Sequence, residues 1–228
     1  MRIVFLGPPG AGKGTQAETI SKEKKLPHIS SGNLLRDAVE SGTATGIHAR
    51  QYIDTGQLVP DQIVVDIIRD RILKNDCKNG FILDGFPRTL SQAKVLDEML
   101  KNLGNKLDVV FYFIVSKESI VHRLSGRRIC NTCGANYHIK FVPPAVDGIC
   151  DKCGGKLYQR ADDKMETVQE RIKVYREQTE DLIAYYKKNR ILKEIESETN
   201  IETIAKNILS AINDSSQNVP LTNLGVVS

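Results

Sequence analysis

The sequence predicts an α/β domain built on a parallel sheet, and three observations predict it. Apolar runs of buried-strand length recur through residues 1–126. Stretches with helical spacing of apolar residues separate those runs. A glycine-rich turn joins the first strand to the first helix. The chain has 228 residues, 40% hydrophobic and 26% charged, which excludes collagen-like, low-complexity and wholly disordered classes. That length fits one or two domains with a sizeable core.

In chain order, Arg2–Leu6 reads as a strand ending at Gly7, and Lys13–Lys24 as a helix. Asp61–Leu73 is a second helix, with Ile63, Ile67 and Ile68 on one face. Phe81–Leu83 and Val109–Val115 are apolar enough for parallel strands buried on both faces. Between them Leu90–Leu103 carries Leu96, Met99, Leu100 and Leu103 at helical spacing. Residues 127–160 break the pattern: they hold four paired cysteines and no helical period, and read as a small inserted domain. A long helix is expected from Lys164 to Lys188, a strand over Ile191–Ile195 and a last helix over Ile201–Ile212. Asp214–Ser228 has no basic residue and no aromatic, and is expected to be a loose, flexible tail. There is no internal repeat.

Lys plus Arg minus Asp plus Glu is 32 − 28 = +4, a balance better suited to a small anionic ligand than to nucleic acid. No apolar run approaches the roughly 18–20 residues that span a bilayer. The opening MRIVFLGPPG is too short for a secretory signal, so the expected address is cytoplasmic, with no membrane partner.

The strongest motif is Gly7-Pro8-Pro9-Gly10-Ala11-Gly12-Lys13-Gly14-Thr15, between a strand and a helix. Glycines let backbone N–H groups converge on a phosphate, and the helix N-terminus adds positive potential. Lys13 reaches β- and γ-phosphates. Gly14 stands where Ser or Thr usually follows the lysine, and the hydroxyl comes one later, at Thr15. That displacement argues against a GTPase switch or motor ATPase and for a metal held largely by phosphates and water. The cysteines form a second motif, Cys130-x2-Cys133-x16-Cys150-x2-Cys153, with Cys77 alone. Two knuckles at this spacing fit a closed, structural tetrahedral zinc site that folds a segment with little core of its own. Iron also fits four thiolates, with zinc favoured. Gly134 and Gly154 follow the knuckles, where tight turns would aim N–H groups at sulfur. His28, His122 and His138 have no ligand spacing and read as structural or surface residues.

GPPGAGKGTQ, SSGNLLR at 30–36, DGFPRT at 84–89, GRR at 126–128, a later RADD and Arg171 occur in order. Together, over about residues 1–213, they resemble the adenylate kinases, specifically the long-lid bacterial type. The resemblance implies a five-stranded parallel-sheet core (1–29, 60–126 and 165–213), an NMP-binding segment (30–59) and a mobile lid (127–164). It implies Mg2+-dependent transfer of a phosphoryl group from ATP to AMP, giving two ADP, by a monomer. Members occur with and without a lid metal, and these cysteines place the chain with the zinc binders.

The resemblance also assigns roles. ATP is met by Gly10, Ala11, Gly12, Lys13, Gly14 and Thr15, by Arg127, by Asn136 and Tyr137 near adenine and ribose, and by Thr199 through backbone. AMP is met by Ser31, Arg36, Gln57, Leu58 and Val59, by Gly85, Phe86, Pro87 and Arg88, and by Gln92, whose amide reads the purine edge. Lys13, Arg88, Arg127, Arg160 and Arg171 are the catalytic cations, with Arg160 and Arg171 spanning the transferring group and AMP. Phosphoryl transfer needs little else, because cations at fixed positions neutralise charge on several oxygens at once. Arg128 is expected to brace the lid hinge. Asp84, at the end of a buried strand beside the phosphate loop, can hold Mg2+ through water. Asp162 and Asp163 either bond lid arginines or cap the following helix. Asn33 stands where the family commonly has aspartate, which bears on local capping or hinge energetics. Two other readings stay open: a kinase for UMP/CMP or GMP, and a zinc-ribbon nucleic-acid module using Lys140, Lys152, Lys156, Tyr137 and Phe141. The second leaves the phosphate loop unexplained.

Overall fold

The computed structural model describes residues 1–217 and the side chains of residues 1–214. Five parallel strands form one sheet in the order β2-β3-β1-β4-β8, from β1 (Arg2–Leu6), β2 (His28–Ser30), β3 (Phe81–Asp84), β4 (Val109–Ile114) and β8 (Leu192–Glu196). β1 lies between β3 and β4, with Val4 opposite Leu83 and Val110. Both faces are covered, as an all-parallel sheet requires. Ile3 and Phe5 pack with Phe111 and Phe113 against α1 (Lys13–Lys24) and α9 (Ile201–Gln217). Val4 and Leu6 point the other way, towards α4 (Asp61–Ile72), α5 (Leu90–Asn102) and α8 (Asp181–Lys188). Two helices, α2 (Ser31–Glu40) and α3 (Ala44–Thr55), make up most of the segment at 30–59.

Four expectations need correction. The helix expected over 164–188 is two helices, α7 (Met165–Gln178) and α8, parted at buried Thr179. The N–H groups of Thr179 and Glu180 both return to the Tyr175 carbonyl, turning the chain so that Leu182 and Tyr186 enter the core. Residues 127–160 are not merely loop: β5 (Arg127–Cys130) pairs antiparallel with β6 (Asn136–His138) and β7 (Leu157–Tyr158). Strands of two to four residues carry no readable period. α6 (Lys117–Ser125), started by the Ser116 hydroxyl accepting from the Ser119 N–H, was not foreseen as an element. Finally, α9 takes in 214–217, so the tail does not begin at Asp214; residues 218–228 lie outside the described residues. Among the described residues no helix is long and apolar enough to cross a membrane.

Candidate active site

A cleft of about 950 Å3 opens where the strands of the sheet end, between the 30–59 helices, α6 and the small three-stranded lid. Its floor is the turn from Gly7 to Lys13. Gly10 and Gly12 there have φ of +76° and +90°, and a Cβ on Gly10 would come within 3.0 Å of Leu124. α1 begins without a side-chain cap, so its leading N–H groups and the positive end of its dipole face the cleft. Lys13 Nζ donates to the Gly7 and Pro8 carbonyls at 2.7 Å each. Burial pulls its pKa down to about 8; Asp84 opposes this, while Arg88, Arg171 and Arg127 add to it.

Asp84 stands beside this loop, 3.3 Å from where a Gly14 Cβ would sit. Burial pushes its pKa up, but the His28 hydrogen bond and the charges of Lys13 and Arg88 hold it below the usual carboxylate range. An ionised carboxylate beside the phosphate loop fits a magnesium ion held mainly by phosphates and water. His28 Nε2 lies 3.3 Å from Asp84 Oδ2 on the cleft wall. His122, which is exposed, and His138, which is buried, also line the cleft.

On the other side, Gly85 is the pivot. Its carbonyl accepts from the Ser31 hydroxyl at 2.6 Å and from Arg88 Nε at 2.8 Å. Its φ is +77°, and a Cβ there would press on Ser31 Oγ at 2.9 Å. Arg36 donates to Asn33 Oδ1 at 2.8 Å, so the neutral amide at 33 steadies an arginine, while the Asn33 backbone N–H donates to the Ser30 hydroxyl that caps α2. Gln57, Leu58, Val59, Pro87 and Gln92 line this side too. Phe86 does not: its ring is fully buried in the core, and its flanking residues alone reach the cleft. Gln92 is 1% exposed and deeply held, far from an ordinary surface helix residue.

From the lid side come Arg127, Asn136, Tyr137 and Arg160, with Arg171 from α7 and Thr199 from the loop before α9. Asp163 accepts from Arg127 Nε at 2.7 Å and from Arg171 at 3.3 Å, and Asp162 meets Arg171 at 3.1 Å. Lys164 is the N-cap of α7 and makes no side-chain cap, so the acid pair serves the arginines and not the helix end. Arg128 turns away to the Ser125 and Arg127 carbonyls, consistent with a hinge brace. Tyr137 lines the cleft, while its hydroxyl receives the Asp151 N–H at 2.9 Å and lies 3.4 Å from Cys150 Sγ, so the phenol tip belongs to the cysteine cluster. Arg123, which the sequence reading passed over, lines the cleft and donates to the Ser197 carbonyl. Its position on the inward face of α6 was the available signal.

Burial lowers the pKa of Arg36, Arg88, Arg171 and, to about 10, Arg160, and in each case neighbouring cationic side chains push the same way. Arg160 Nε is buried with no hydrogen-bond partner. These cations are brought together at an electrostatic cost that a bound polyanion relieves.

The four lid thiols converge, with all Sγ atoms within 4.8 Å of one another. Cys130–Cys153 and Cys133–Cys150 are separated by 3.5 and 3.6 Å, too far for disulfides. Four 2.3 Å Zn–S bonds in a tetrahedron place sulfurs about 3.8 Å apart, so the set fits zinc. The knuckle turns do aim backbone N–H groups at sulfur, those of Thr132 and Cys133 at Cys130 and those of Lys152 and Cys153 at Cys150, while the Gly134 and Gly154 N–H groups close the turns on the Cys130 and Cys150 carbonyls.

A family model for adenylate kinase matches residues 5–191. An adenylate kinase of Archaeoglobus fulgidus is 53% identical over 208 residues, covering 91% of this chain and 96% of its own. One from Caldicellulosiruptor bescii is 52% identical over 212 residues, covering 93% and 99%, and one from Clostridium tetani is 50% identical over 216 residues, covering 93% and 100%. A phosphate loop at the end of the central strand, a crowd of desolvated arginines facing it and matches of this extent lead to one conclusion: the chain belongs to the adenylate kinase family.

Proposed function

We propose a residue-level account of the family's reaction, the reversible transfer of the terminal phosphoryl group of ATP to AMP to give two ADP. The observation that carries it is the set of buried, mutually repelling cations around one cleft, each with its pKa pulled down by burial and by its neighbours. ATP lies on the turn from Gly10 to Thr15, its phosphates on the α1 N-terminus and Lys13, with Arg127, Asn136 and Thr199 beside it. Gly12 supplies the turn and Gly14 a backbone N–H group, while the Ala11 N–H braces the loop by donating to the Pro8 carbonyl. AMP lies between Arg36 and Arg88, with Ser31, Gln57, Leu58, Val59, Gly85 and Pro87 around it and Gln92 at its purine edge.

Arg160 and Arg171 bridge the two phosphate sites. Arg88, Lys13 and Arg127 neutralise charge as it spreads over the transferring oxygens. No general base is required, because the accepting AMP oxygen is already anionic. Asp84 would hold, through water, the magnesium that accompanies ATP, and that ion would screen the phosphates. The four lid cysteines would hold a structural zinc that folds the lid and takes no part in transfer. Closure of the 30–59 segment over AMP and of the lid over ATP excludes water, so the phosphoryl group passes to AMP and not to solvent. All these groups come from one chain, which supports action as a monomer, and unbridged thiols support a reducing, cytoplasmic setting.

The test is a nucleotide-pair assay with magnesium on a sample whose metal content is measured. ADP formation from ATP and AMP, exceeding the rate with UMP or GMP, is expected. A faster reaction with UMP or GMP, or no ADP at all, overturns the assignment of Gln92 and the AMP side.

A further inference from the structure

Around Gln92 the hydrogen-bond directions are fixed by the Arg88 backbone N–H and by one side chain that no motif singled out. Asp61, the first residue of α4, accepts from Gln92 Nε2 on one oxygen and from the Thr89 hydroxyl on the other, at 2.7 Å each. Thr89, the N-cap of α5, in turn accepts from the Gln92 backbone N–H at 3.1 Å. Gln92 Oε1 accepts from the Arg88 N–H at 2.7 Å. A carboxylate only accepts and a backbone N–H only donates, so the carboxamide at 92 has one permitted orientation. Flipping it would set oxygen against carboxylate and NH2 against N–H.

We infer that Asp61 is a specificity-determining positioning residue: by locking the Gln92 carboxamide, it makes the site select 6-aminopurine over 6-oxopurine monophosphates. The inference rests on Gln92 facing the purine edge. Each amide atom keeps one capacity beyond its protein bonds, a second N–H on Nε2 and a second lone pair on Oε1. A fixed pair of one donor and one acceptor matches the N1 acceptor and N6–H donor of adenine. A 6-oxopurine presents the reverse pair, N1–H and O6, which the amide can match only by flipping. The lock also ties selection to catalysis, since the same amide oxygen holds the backbone of Arg88.

The experiment compares kcat/KM for AMP and for inosine monophosphate in the wild type and in Asp61→Asn, Asp61→Ala and Gln92→Leu, with melting temperatures alongside. Asp61→Asn keeps the shape but offers Gln92 either an oxygen or an NH2. The IMP:AMP ratio should rise by about tenfold or more, the scale set when a directional hydrogen-bond pair stops discriminating. A generally loosened site would lower both values and leave the ratio alone, which overturns the inference. If both Asp61 variants keep the wild-type ratio while Gln92→Leu changes it, Asp61 is not the lock and the reading of Gln92 stands. If no variant moves the ratio, the reading of Gln92 fails and the lock with it. Should both Asp61 variants fail to fold, wild-type NMR decides: a scalar coupling across the hydrogen bond from Gln92 Nε2 to the Asp61 carboxylate carbon supports the lock, and its absence overturns it.

Discussion

At the scale of single residues, the cleft concentrates charges that water would ordinarily keep apart. Arg88 is held by the Gly85 carbonyl and faces Lys13 and Arg171 across the site. Arg88→Ala should lower turnover by about 10²-fold or more, the cost of one preorganised electrostatic stabiliser, with little change in melting temperature. Steady-state kinetics beside calorimetry check both halves. Lys13 gives a pH prediction with a definite sign. Its pKa is about 8 in the free protein and 10.5 in an unfolded chain, so the unfolded state binds the extra proton between those values. The cost of keeping Lys13 charged is therefore fully present below pH 8 and fades as pH rises towards 10.5. ATP phosphates reverse the balance by raising that pKa. Binding above pH 8 should take up a proton, and affinity should fall as pH rises, by up to about tenfold per unit. Titration calorimetry at pH 9 in two buffers of different ionisation enthalpy reads the uptake directly.

At the scale of elements, the lid has almost no core: Cys130, Ala135, Tyr137 and Cys150, with Leu157 against them. Three short strands cannot supply the burial that makes a sheet stable alone. The thiol cluster must take that part. Cys130→Ala, or removal of metal by chelation, should lower the melting temperature by about 5 °C or more, since each kcal/mol shifts a domain of this size by about 2–4 °C. Activity at 25 °C should fall proportionately less. Equal loss of both would contradict a structural role for the metal. The broken helix at Thr179 has the same logic in reverse. A continuous helix over 164–188 would carry Leu182 and Tyr186 past the core that now buries them completely. Burial of two large side chains outweighs the few helical hydrogen bonds lost at the break.

At the scale of the molecule, the lid rests on the core through a contact between exposed side chains. Lys152, between two of the cysteines, meets Glu18 of α1 at 3.0 Å, and Lys22 shares the same oxygen. An exposed pair is worth less than about 1 kcal/mol and is screened by salt. Glu18→Gln should therefore change KM for ATP by less than about fivefold and leave KM for AMP unaltered, and the difference should vanish at about 1 M salt. Salt-dependent kinetics of the two forms decide it. On the opposite side, Gln57 donates to Glu170 of α7 at 2.7 Å, so the 30–59 segment also leans on the core by a surface polar contact. Each of these two surface contacts is weak enough to be made and broken at little cost.

The sequence by itself determined four of the five parallel strands (the three-residue edge strand β2 was too short to read), the phosphate loop, the metal knuckles and the arginines. Each is encoded locally, as an apolar run, a glycine pattern or a fixed spacing within a few residues. It did not determine that Asp162 and Asp163 serve arginines instead of a helix end, that the Tyr137 hydroxyl turns to the cysteines, that Phe86 lies in the core, or that His28 and Arg123 line the cleft. Tertiary structure decided those, because a side chain's partners are set by which elements the chain brings alongside it. Asp61 and Gln92 stand 31 residues apart and share no motif, and only the packing of α4 against α5 makes them a pair.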